Sequence, residues 1–177
     1  CKRYGCELKQ IPLLAQEDKK EGWKKAIIKR FESAFKSGNV KVLSFSWVTT
    51  SPGPVLPAKE LCDMASHYGA ISVIDAAQAF TILPIDVQQQ GIDCDFMVVN
   101  GHKYLCGPIG SGFVCIHPRQ MESFESFYST VVDENYYHPE NPALNYPHRK
   151  GGLSAYTSIL PLMDALTFYQ TLGAEKV

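Results

Sequence analysis

Six cysteines in 177 residues include no C-x-x-C pair, no apolar run approaches the roughly 18 residues a membrane-spanning helix needs, and neither charge sign dominates. Each shortage removes a class of function. The 17 Lys and Arg against 18 Asp and Glu leave a formal net charge of -1 without a basic run, which argues against nucleic acid or an anionic membrane as the main partner. A small uncharged or zwitterionic ligand fits better. Lacking metal-ligand spacing, Cys1, Cys6, Cys62, Cys94, Cys106 and Cys115 read as buried free thiols rather than disulfides or zinc ligands, which points to the cytosol. The opening CKRYGCELK does not begin a signal peptide, so a soluble protein is expected. With no initiator Met and an end inside a helical pattern, the chain is expected to be a piece of a longer one.

What is present is an alternation of short apolar runs and amphipathic stretches. CELKQIP (6–12) alternates as a short strand would, closed by Pro12. In EGWKKAIIKRFESAFKSG, Trp23, Ile27, Phe31 and Phe35 recur every fourth residue opposite lysines, predicting a helix with a core-facing stripe that stops at Gly38. KVLSFSW (41–47) predicts a strand, TTSPGPVLP a break, and a helix runs from near Pro57 to His67, ended by Gly69. Two further apolar runs end at Asp75 and Asn100. Being apolar on both faces, they predict a largely parallel sheet with helices above and below. GFVCIHP predicts another strand, Pro118 a helix to about Tyr128, residues 130–150 a polar proline-rich loop, and Ser154 the neighbourhood of a last helix. One α/β domain spanning residues 1–177 is the economical reading.

In such a sheet, ligands sit beyond the carboxyl ends of the strands. Thr49 and Thr50, Asp75, and Asn100 to Lys103 all fall there. Singly, each has an ordinary use: Asp75 as a cap, Lys103 as a solvated loop lysine, His102 as a structural histidine. His67 and His117 have no partner at metal-ligand spacing and read as structural. GPIGSG is not a phosphate loop, because a strand rather than a helix follows the glycines, and neither G-K-S/T nor G-x-S-x-G is present. There remains a lysine in a glycine-rich turn whose amine could form a Schiff base, with an acid at a different strand end. Pyridoxal phosphate chemistry uses that pair, the lysine for the aldehyde and the carboxylate for the ring nitrogen.

The stretch VIDAAQAFTILPIDVQQQGIDCDFMVVNGHKYLCGPIGSGFV, with D-x-x-Q at 75–78 and x-G-H-K at 100–103, resembles the class V aminotransferase family of fold type I pyridoxal-phosphate enzymes. That family includes cysteine desulfurases and isopenicillin N epimerase-like proteins. The resemblance implies a three-layer α/β sandwich with a mostly parallel sheet, pyridoxal 5'-phosphate as cofactor, an amino acid as substrate and a homodimer. It implies Lys103 as the Schiff-base lysine and later proton carrier at the substrate α-carbon, Asp75 at the pyridinium nitrogen and Gln78 at the phenolic oxygen. His102 and Asn100 would lie near the phosphate, Asn100 standing where desulfurases commonly carry serine, and Thr49 and Thr50 in a loop approaching the cofactor. Gly152 replaces a threonine that in relatives reaches the partner subunit's phosphate. Relatives place a phosphate-binding turn and a ring-stacking residue upstream of this chain, and a carboxylate-binding arginine in a small domain downstream. Residues 1–177 are thus expected to be part of the large domain. Transamination or epimerisation is the expected chemistry; the alternatives are cysteine desulfuration or carbon–sulfur cleavage, and a non-catalytic scaffold of the same fold.

Overall fold

Apolar side chains at Ala26, Ile27, Phe31, Ala34 and Phe35 line one face of helix α1 (Trp23–Ser37), and all five are buried. The computed structural model describes residues 5–13, 22–51, 53–121 and 156–173. It sets that face against four strands, β1 (Val42–Ser46), β2 (Ile71–Asp75), β3 (Phe96–Asn100) and β4 (Gly112–Ile116), in the spatial order β1-β2-β3-β4. The other helices among the described residues are α2 (Ala58–His67), the single turn α3 (Pro118–Met121) and α4 (Tyr156–Leu172). Among the described residues no helix is long and apolar enough to cross a membrane.

The β1–β2 and β2–β3 pairs are parallel, and β4 returns antiparallel to β3. A tight turn without a helix can join β3 only to an antiparallel neighbour. Register places Ser46 beside Asp75, and Asp75 beside Val98, so the carboxyl ends of three strands lie almost level. Leu43, Phe45, Ser72, Ile74, Met97 and Val99 point to one face, where they are buried together with Trp47, Leu56, Leu61 and Cys62. Each fully buried Ile or Leu there, such as Ile27, Leu61 and Ile74, contributes roughly 1.5–3 kcal/mol. On the opposite face Val42, Ile71, Val98 and Val114 are exposed.

At the lower end of the sheet, Asp95 just before β3 is buried and fully engaged. Its Oδ2 accepts hydrogen bonds from the Ser72 amide at 2.8 Å and the Ser72 hydroxyl at 3.0 Å, and its Oδ1 from Arg119 Nε at 2.7 Å and Gln120 Nε2 at 2.6 Å. Asp93 receives Arg119 Nη1 at 2.6 Å and His117 Nε2 at 3.3 Å. Burial alone would push the Asp95 carboxyl up, but hydrogen bonds from Arg119, the Ser72 amide, Gln120 and the Ser72 hydroxyl outweigh it and hold the group far below the usual carboxylate range.

Several expectations are corrected. Residues 6–12 form no strand: their side chains are mostly exposed, and the segment lies along α1, with Lys9 Nζ donating to Ser37 Oγ at 2.8 Å and Arg30 Nη1 to the Pro12 carbonyl at 3.3 Å. An alternating pattern without a neighbouring strand to pair with leaves the backbone to such side-chain bonds. Gly38 ends α1 in extended backbone (φ -157°), which any residue adopts, whereas Gly69 after α2 has φ +67° and needs to be glycine. The five described cysteines are free thiols as expected, but only Cys62 is buried; Cys6, Cys106 and Cys115 are exposed. Burial pushes the Cys62 thiol up to about 12. The helix expected to reach Tyr128, the loop 130–150, the start near Ser154, Gly152 and Cys1 lie outside the described residues.

Candidate functional site

β2 ends in Asp75 because its backbone stays in register while its side chain leaves the sheet. The Asp75 carbonyl accepts Trp47 N–H at 2.9 Å, and the Ala76 amide donates to the Val98 carbonyl at 2.8 Å, tying β2 to both neighbours at this point. The carboxylate closes a local turn, Oδ1 accepting from the Ala77 amide at 2.9 Å, while Oδ2 accepts from Ser46 Oγ at 3.1 Å. Each carboxylate oxygen has a second lone pair, and the residue is exposed, so acceptor capacity remains for a ligand. Ser46 was not among the residues singled out from sequence. Its signal was weak: a serine at the last position of a strand, on the face opposite Phe45.

Beyond β1, the chain turns back on itself, Thr49 N–H donating to the Pro54 carbonyl at 3.3 Å and Leu56 N–H to the Trp47 carbonyl at 2.7 Å. This brings Thr50 beside the turn after β2, where Gln78 Nε2 donates to Thr50 Oγ1 at 3.4 Å. Thr49 Oγ1 is buried and has no hydrogen-bond partner among the described residues. A buried hydroxyl without a partner carries a desolvation cost that a ligand could relieve.

Asn100 ends β3, and Lys103 follows in a turn that is held by its own backbone. Gly101 N–H donates to the Ser111 carbonyl at 2.8 Å, Gly107 N–H to the Gly101 carbonyl at 2.7 Å, and Cys106 N–H to the Lys103 carbonyl at 3.0 Å. The glycines are required by close approach. A methyl group at Gly107 would lie 2.9 Å from the Gly101 carbonyl, and one at Gly112 would lie 2.6 Å from that of Val99. Lys103 is half-buried, Asn100 likewise, and His102 exposed. The structure therefore brings the ends of β1, β2 and β3 together as the sequence pattern implied, but leaves Asp75 and His102 open to solvent. His117 is structural, its Nδ1 accepting from the Arg119 amide at 3.1 Å, and the described residues contain no group of three or more potential metal ligands.

An amine, a carboxylate with spare lone pairs, a carboxamide and an orphaned hydroxyl at adjacent strand ends suit a small polar ligand with both a cationic ring nitrogen and anionic oxygens. The donors present fit pyridoxal phosphate. The sequence profile described as Aminotransferase class-V matches residues 1–177. A cysteine desulfurase from Synechococcus elongatus is 42% identical over 149 residues, covering 80% of this chain and 22% of that protein. An isopenicillin N epimerase from Streptomyces clavuligerus is 38% identical over 100 residues, 56% of this chain and 24% of that protein. The apo structure of a cysteine desulfurase from Thermococcus onnurineus superposes with a TM-score of 0.68 at 23% identity, covering 84% of this chain and 36% of that one, which is a likeness of fold. The chain thus spans under a quarter of the length of these two curated relatives.

Proposed function

The chain belongs to the class-V aminotransferase family, and from that premise we propose that it supplies the lysine-bearing part of a pyridoxal-phosphate enzyme acting at the α-carbon of an amino acid. The observation that carries this reading is the placing of Lys103 in a glycine-locked turn next to the strand end where Asp75 offers an oriented carboxylate. Pyridoxal phosphate, when bound, supplies an aldehyde for attachment and an electron-poor ring that draws electrons from bonds at the substrate α-carbon. Lys103 Nζ would hold that aldehyde covalently and, once the substrate amine has taken its place, move a proton at the α-carbon. Asp75, oriented by the Ser46 hydroxyl and the Ala77 amide, would keep a proton on the ring nitrogen. Gln78 would donate to the phenolic oxygen, and Asn100, His102, Thr49 and Thr50 would serve the phosphate side.

Transamination or epimerisation is the first reading of the reaction; carbon–sulfur cleavage of cysteine is the second, favoured by the desulfurases among the relatives. With cysteine as substrate, alanine with a persulfide, or pyruvate with ammonia and sulfide, would establish the second, and 3-mercaptopyruvate or D-cysteine the first. A cytoplasmic setting and a homodimer complete the proposal. Ile159, Leu160, Met163 and Phe168 on α4 are large, apolar and exposed, which suits burial against a second copy, and sedimentation would test it.

The primary test is to mix the chain with pyridoxal phosphate, reduce with borohydride and map the labelled lysine by peptide mass spectrometry, with Lys103→Ala as control. Label concentrated on Lys103 and lost in the variant is expected. Label scattered over surface lysines, in this chain and in any longer polypeptide containing it, would sink the reading.

A further inference from the structure

The turn that carries Lys103 contains a strained residue. Cys106 has φ +59°, a left-handed conformation that a side chain disfavours. Such conformations persist where the surroundings over-determine them. Its internal hydrogen bonds are part of that support, and the other part comes from a distant segment. On α4, Ser158, Leu162, Ala165, Leu166 and Tyr169 are the positions withdrawn from solvent, an i, i+4, i+7, i+8, i+11 stripe that faces the protein. Leu162 is the most deeply set, 7% exposed while Leu160 and Met163 beside it are 63% and 57% exposed. Its Cδ1 fills the slot made by the turn's glycines: a methyl group at Gly101 would come within 2.7 Å of it and one at Gly107 within 3.0 Å, and the Gly101 position is closed from another side by Ser111 Oγ. Tyr169, two turns on, rests 6.1 Å from the Phe80 ring, which itself packs edge-on to Phe113 of β4.

We infer that Leu162 is a positioning residue for Lys103, a plug from α4 that holds the 101–111 turn in the one shape its glycines allow. The inference rests on the reading of Lys103 given above only for its consequence in the reaction; the mechanical claim stands on the packing alone. Leu162 touches neither substrate nor cofactor in this account. It acts by denying the turn the space into which Cys106 would relax.

The test measures amide hydrogen exchange and pyridoxal-phosphate labelling on the same full-chain samples of wild type, Leu162→Ala, Leu162→Met and Leu61→Ala. Leu61 is fully buried on α2 in the main core, so its truncation costs stability without touching the turn. In Leu162→Ala the amides of Gly101, Cys106 and Gly107 should exchange at least about tenfold faster relative to that of Ile74 in β2, and borohydride-trapped label on Lys103 should fall by a similar factor relative to exposed Lys41. Leu162→Met, of similar volume, should restore both, and Cys106→Gly added to Leu162→Ala should recover part of the protection by removing the strain. Unchanged protection of the three amides in folded Leu162→Ala, or in Leu162→Val should the alanine variant not fold, would overturn the inference. So would a selective loosening of the turn in Leu61→Ala. A Lys103 that labels no better than Lys41, in the wild-type chain and in a longer polypeptide containing it, would instead defeat the pyridoxal reading, while the exchange data still decide whether Leu162 holds the turn.

Discussion

At the lower end of the sheet Asp95 takes four hydrogen bonds from Ser72, Arg119 and Gln120, and Asp93 pairs with Arg119 and His117, so that each carboxylate is met by donors from other segments. At the upper end Asp75 takes two, one from the adjacent strand and one from its own turn, Gln78 reaches Thr50 only at 3.4 Å, and Thr49 Oγ1 has no partner among the described residues. The two ends share β2 and β3, the lower adding the end of β4 and the upper that of β1. The difference teaches where the fold stores stability and where it keeps bonding capacity in reserve, since a polar group already satisfied has little to offer a ligand and an unsatisfied one weakens the resting protein.

The largest effect expected from breaking this contrast is at Asp95. Asp95→Ala leaves Arg119 and Ser72 facing a buried gap, and a loss of about 3 kcal/mol or more in urea denaturation is expected. Labelling of Lys103 per folded molecule should not change; a parallel fall would mean that the two ends are energetically one. The acid side follows with a definite sign. Because the folded carboxyl lies below its unfolded value of 3.8, its contribution is present above that pH and is lost as pH falls below it, so wild type should approach Asp95→Ala in stability on acidification.

A smaller effect sits at Cys62, buried against Ser72 in the lower half. Its folded thiol, raised to about 12 from 9.0 mainly by burial, stays protonated while the unfolded chain ionises. Stability should therefore decline as pH rises above 9, by about 1 kcal/mol at pH 10, and Cys62→Ala should flatten the slope of urea midpoint against pH. A slope unchanged by the substitution would place the alkaline loss elsewhere. The smallest effect, and the one that speaks most directly to the reserve at the upper end, is Thr49→Val. Exchanging an orphaned hydroxyl for a methyl should raise stability by about 0.5 kcal/mol and at the same time weaken pyridoxal phosphate binding, read by absorbance titration. Destabilisation with unaltered binding would show that the hydroxyl has no part in the site.

Much of this was legible in the residues. The strand ends at Asp75 and Asn100 announced themselves because apolar runs stop there, and the glycines around Lys103 marked a turn too tight for side chains. Helix α1 followed from its four-residue stripe. The segment 6–12 misled because alternation records which side chains are apolar, while a strand also requires a neighbour's free amides and carbonyls. Ser46 carried only a weak local pattern, and Asp95 and Leu162 carried none. Serine in a strand, an aspartate before one and a leucine in a helix rich in apolar residues are ordinary in any short window of sequence.

By itself, then, the order of residues determined the elements, the placing of the polar groups at the carboxyl ends of the strands, and the lysine's turn, because periodicity, breakers and close-approach glycines act over a few positions. Only the tertiary structure decided which carboxylate is saturated and which retains capacity, that Cys62 is buried while Cys106 is exposed, and that Leu162, about sixty residues from Lys103, packs against Gly101 and Gly107 of its turn. Those outcomes depend on which segments share a volume, and hydrogen-bond saturation and close packing are properties of that shared volume, with no counterpart in any short stretch of the chain.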